Sequence, residues 1–135
     1  MVHRLEILPM NLEKAGYIAS FVKKLLTDDK ISKLIIRRVS IATYEAEINV
    51  VIHSYGGECV IDYDNKKLKI VFSDTGPGIK NIDAAMAEGF TTASPYAREN
   101  GFGAGMGLPN IRNSCDELDL QSSEKGTILT LIFNL

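Results

Sequence analysis

Four glycines occupy alternate positions in the stretch GFGAGMGLPN, residues 101–110, as Gly101, Gly103, Gly105 and Gly107, and a helical pattern follows at once. A backbone stripped of side chains lets another group come close. Where such a run ends at a helix start, free N–H groups and the positive end of the helix dipole collect, which suits phosphate. A glycine-rich stretch is also compatible with a flexible linker. The order G-x-x-x-x-G-K-[ST] is absent, and a dinucleotide fingerprint would follow a strand directly, whereas this run follows the polar loop GFTTASPYARENG. A phosphate site here therefore requires a different fold from either.

The rest of the chain narrows that fold. HRLEILP alternates and stops at Pro9, as an edge strand does. Residues 11–27 read as an amphipathic helix with Asn11 as N-cap, and a second helix spans about Ser32 to Tyr55 before Gly56-Gly57. ECVIDYD and KLKIVFSD, separated by a turn at Asp64-Asn65, form one hairpin, and LDLQSS and GTILTLIFNL form another around EKG. A short helix near 81–88 precedes the polar loop, and LPNIRNSCDEL is helical. Helices packed on a mostly antiparallel sheet satisfy this order, and 135 residues suit a single domain over 1–135. Fifteen Lys and Arg against seventeen Asp and Glu, without a long basic run, argue against nucleic acid as a partner. Cys59 and Cys115 stand apart with no C-x-x-C pattern, which argues against a zinc site or a disulfide framework. No apolar run approaches a membrane span, so a cytoplasmic protein with no membrane partner is expected.

Two anomalies point to chemistry. On the second helix an apolar arc of Leu34, Ile35, Val39, Ile41, Ala42, Ala46, Ile48, Val50 and Ile52 is interrupted by Arg38, Glu45, Asn49 and His53. Burying such groups without partners costs roughly 2 to 7 kcal/mol for an amide and more for a carboxylate. Either Arg38 pairs with Glu45 and Asn49 bonds to a strand, or carboxylate and amide face a ligand or metal in a cleft. The second anomaly is FSDTGPGIK, where an apolar strand ends in Asp74 before Gly76-Pro77-Gly78. This is either a surface turn or a carboxylate positioned to accept from the amine of a flat ring that the glycines let approach.

Taken in order, four stretches resemble one family. Glu45 to His53 (EAEINVVIH) resembles an N box, Asp74 to Ile79 (DTGPGI) a first glycine box, Gly101 to Leu108 (GFGAGMGL) a second, and Lys125 to Thr127 (KGT) the last. The chain is thereby similar to the GHKL, or Bergerat-fold, ATPases and kinases, and within them to the stand-alone anti-sigma-factor and stress-switch serine/threonine kinases. The resemblance implies an α+β two-layer sandwich whose mixed, mostly antiparallel sheet is covered on one face by helices, with ATP or ADP and Mg²⁺ bound. By it, Asp74 takes the adenine amino group with help from Thr127, and Gly78 gives the ring room, flanked by Gly76 and Ile79. Asn49 holds Mg²⁺, and His53 closes the N box beside the nucleotide. Gly103, Gly105 and Gly107 offer N–H groups to the phosphates, with Ala104, Met106 and Leu108 between and after them in the same box. Thr92 and Arg98 lie in the expected lid, near the terminal phosphate. Glu45 is the general base of a kinase acting on a small regulatory protein of the anti-anti-sigma, STAS-like type. The alternative within the family is a nucleotide-dependent binding module that sequesters a sigma factor with little catalysis. The N-terminal strand edge offers a route to a homodimer.

Overall fold

A computed structural model describes residues 1–78, Met86 and 107–135 of the chain. The expected short helix near 81–88, apart from Met86, and the lid residues fall outside the described residues. Five strands form one sheet: β1 (Val2–Ile7), β2 (Gly57–Asp64), β3 (Lys67–Asp74), β4 (Glu117–Ser123) and β5 (Gly126–Asn134), in the order β1-β2-β3-β5-β4. Every pairing among them is antiparallel, in line with the expected architecture. The helices are α1 (Tyr17–Asp28), α2 (Lys33–His53) and α3 (Gly107–Ser114).

Period-2 patterning decides which sheet face is covered. One continuous row, Leu5, Cys59, Phe72, Leu129 and Leu120, runs across all five strands, and the next is His3, Ile61, Ile70, Leu131 and Leu118. The central members of both rows are buried with Ile18, Val22 and Leu26 of α1 and Val39, Ala46 and Val50 of α2 in one core. Both expected hairpins form. In the first turn Asp64 Oδ1 accepts the N–H groups of Lys66 and Lys67 at 2.8 and 3.0 Å, the local bonding that makes Asp a turn former.

Three expectations need correction. The helix expected over 11–27 is broken: a single 3-10 turn, Leu12–Lys14, is followed by Gly16 at φ 99°, and α1 begins only at Tyr17. Asn11 makes no side-chain capping bond, and the left-handed Gly16 stands between the two turns as the N-cap of α1. The apolar arc of α2 is also rotated from its expected centre. Ile36, Val39, Thr43, Ala46, Glu47 and Val50 are buried, whereas Leu34 and Ile41 are 78% and 39% exposed. Apolar residues surround this helix almost completely, so periodicity alone does not say which side meets the sheet. Finally, α2 ends at His53, two residues earlier than expected, and the third helix ends at Ser114, so that Glu117 already belongs to β4.

Candidate functional site

α2 is wedged between α1 and α3 and carries carboxylates on opposite flanks. Glu45 and Asn49, one turn apart, lie on the flank that meets α3. α3 runs antiparallel along it. Gly107 sits against Asn49, Asn110 hydrogen-bonds Glu45 through its side chain, and the Ser114 carbonyl accepts from Arg38 Nε at 3.1 Å. A Cβ at Gly107 would lie 3.1 Å from Asn49 Oδ1 and 3.4 Å from Nδ2, so a side chain there would press on the amide. Among the described residues the Asn49 side chain makes no hydrogen bond, and its oxygen stays available beside the first turn of α3. The donor set fits a hard cation that keeps phosphate and water as its other ligands, because one neutral amide oxygen can serve as a single protein ligand.

The other sequence-predicted carboxylate stands at the end of β3. Asp74 Oδ1 accepts the Thr127 N–H at 3.0 Å, and Thr127 Oγ1 lies 3.0 Å from Ser122 Oγ. Gly126 makes that approach feasible, since a Cβ there would come within 2.0 Å of the Asp74 carbonyl oxygen. Oδ2 of Asp74 has no hydrogen-bond partner among the described residues. Beyond it the chain is strapped down, with the Thr75 N–H donating to the Gly56 carbonyl and the Gly76 N–H to that of Lys125. Gly78 follows at φ 72°, where a Cβ would strike the Ser123 carbonyl oxygen.

Burial raises the pKa of both carboxylates. At Glu45 the Asn110 hydrogen bond works against the desolvation, and at Asp74 the Thr127 N–H does the same. A raised carboxylate pKa brings Glu45 closer to the range in which a general base works well. His53 stands at the exposed C-terminal end of α2, and Leu108 is buried in the core. Ile79, Thr92, Arg98, Gly103, Ala104, Gly105 and Met106 lie outside the described residues. A groove of about 630 Å³ reaches Asp74 and Thr75 from the β1 side, but neither Glu45 nor Asn49 lines it.

Of the two readings of the α2 anomaly, the pairing of Arg38 with Glu45 does not occur. Arg38 Nη2 lies 3.1 Å from Asp116 Oδ1, and the Ser114 carbonyl takes its Nε–H. The end of α3 attracts the guanidinium through its free carbonyls and negative dipole, which leaves Glu45 to Asn110. Sequence reasoning missed two residues. Asn110 sits three residues after the last glycine of the run, a polar position in the first turn of α3 that could have marked it. Glu47 is 1% exposed and accepts the Gly16 N–H at 2.9 Å and the Ala19 N–H at 3.3 Å. It caps α1 from another helix, and no local pattern announces such a cap.

The profile of the histidine kinase-like ATPase domain matches residues 8–133. The chain belongs to the histidine kinase-like ATPase family. Named proteins are similar to it in sequence: the serine/threonine-protein kinase RsbT of Bacillus subtilis is 35% identical over 89 residues, 63% of this chain. The match spans 61% of that kinase's length. An anti-sigma F factor of Clostridium kluyveri is 31% identical over 125 residues, covering 87% of this chain and 82% of the factor. The fold of this histidine kinase-like ATPase domain recurs in the RsbU and RsbW domains of Rv1364c from Mycobacterium tuberculosis, with a TM-score of 0.66 at 15% identity over 100% of this chain and 32% of that one. It recurs too in the catalytic domain of the histidine kinase ThkA, with a TM-score of 0.56 at 15% identity over 99% and 95% of the two chains. As an ATPase-family domain, the chain uses an adenine nucleotide.

Proposed function

We propose that the chain is an ATP-dependent protein serine/threonine kinase that phosphorylates a small regulatory protein of the anti-anti-sigma, STAS-like type in a cytoplasmic partner-switching system. The observation that carries this reading is Glu45 and Asn49 on one flank of α2, facing the N-terminus of α3, with Asp74 at the end of β3. Asp74 Oδ2 accepts from the adenine amino group while Thr127 holds Oδ1. The α3 N-terminus and the glycines before it receive the phosphates. Asn49 would hold Mg²⁺, which would offset charge on the transferred phosphoryl group. Glu45 takes the proton from the incoming Ser or Thr hydroxyl as its oxygen bonds to the γ-phosphorus and the bond to the β-γ bridging oxygen breaks, leaving ADP. Asn110 keeps the carboxylate turned toward that hydroxyl. The relatives named RsbT and anti-sigma F factor support the reading.

The test is transfer of radiolabelled phosphate from ATP to proteins of the native cytosol. Wild-type protein should label an acceptor on Ser or Thr, and Glu45→Ala should lose transfer while binding ADP as before. Equal labelling by the variant would remove Glu45 from the chemistry.

A further inference from the structure

The flank of α2 that holds Glu45 meets the end of α3 at Arg38, and beside it toward the helix start apolar side chains stay exposed. Leu34 and Ile41, seven residues apart and so on one side of the helix, are 78% and 39% exposed, while Ile48, the next at that interval, is buried. Basic residues frame them. Between residues 30 and 44 stand Lys30, Lys33, Arg37 and Arg38 and no acidic residue, in a chain whose formal charge is -2. Of the three on the helix, only Arg38 has an ion-pair partner among the described residues. Lys33 and Arg37 occupy the opening turns of α2, where the macrodipole favours carboxylates, and no acidic residue is present in its first turn. Local helix stability does not explain that choice of charge.

We propose that this face of α2 is the docking surface for the protein substrate, and that it receives an acidic surface carrying an apolar side chain at its centre. The inference rests on the kinase reading above. Leu34 and Ile41 supply the apolar contact, and Lys33 and Arg37 match the acidic rim. Glu45 lies about 6 Å along the helix axis from Ile41 and about 17 Å from Leu34 at 1.5 Å per residue. A footprint of about 800 Å² per partner spans that distance, so a domain seated on Leu34 and Ile41 delivers a hydroxyl to Glu45.

The acceptor labelled by the wild-type protein is purified and its phosphorylation followed at steady state with Leu34→Asp, Arg37→Glu and, as a control on α1, Lys24→Glu. The first two should raise KM for the acceptor about thirtyfold, the size of a hot-spot loss, with kcat, ADP affinity and melting temperature held. Lys24→Glu should leave KM unchanged, and added salt should raise the wild-type KM. Arg37→Glu improves the match to the helix dipole, so its effect does not come from unfolding. Wild-type KM in both face variants would overturn the docking surface and leave the kinase standing. Failure of the wild-type protein to label any acceptor would overturn both.

Discussion

Asn49 and Gly107 show how one residue type depends on another. No side chain at position 107 presses on the amide, so on the proposed reading Gly107→Ala should weaken Mg²⁺-nucleotide binding more than binding of nucleotide in chelator, measured by calorimetry. Asp74 works by polarity. Asp74→Asn puts a donor where two acceptors stood, opposite the Thr127 N–H or the adenine amine, and should lower adenine-nucleotide affinity by about 1 to 3 kcal/mol. Glu45→Gln, which keeps shape but removes basicity, should reduce kcat by roughly 10² to 10⁴ with nucleotide affinity held. Asp74 was legible because a carboxylate ending an apolar strand before two glycines is unusual. The Arg38 contact was not, because its partner Asp116 lies beyond α3 and helix geometry places only residues of the same helix.

Among elements, the contact between α1 and α2 turns on Glu47. Its carboxylate satisfies N–H groups that a left-handed Gly16 cannot cap, and burial raises its pKa while those N–H groups oppose the shift. A carboxylate whose folded pKa is raised binds its proton more tightly in the native state, so its contribution falls as pH rises through the window above the ordinary value of 4.5. The stability of wild type relative to Glu47→Gln, read from urea midpoints, should therefore increase as the pH is lowered from neutral toward 4.5. Glu47→Ala leaves the Gly16 and Ala19 N–H groups without their acceptor, and faster amide exchange should appear in the first turn of α1. Hairpins and strand phases were legible from alternation and turn residues. The start of α1 was not, because the pattern of apolar spacing passes through Gly16 without registering its φ.

For the molecule as a whole, sheet and helices share one core, and the candidate residues stand on the middle of α2 beside the start of α3 and at the end of β3. Nucleotide that binds only the folded chain must stabilise all of it, by about 2.7 kcal/mol at a hundred times Kd, and should raise the melting temperature accordingly. A melting temperature unmoved by ATP and ADP would contradict a formed site. No helix among the described residues is long and apolar enough to cross a membrane. The amino-acid order by itself determined the strands, the hairpins and the family motifs, and it singled out Glu45, Asn49 and Asp74 as candidates, because alternation, turn chemistry and glycine spacing are local properties. Which side of α2 meets the sheet, that Arg38 belongs to Asp116, that Asn110 serves Glu45 and that Glu47 caps α1 were decided only by tertiary packing. Each of these depends on which groups from distant parts of the chain reach the same few ångströms, and no period along the sequence encodes that distance.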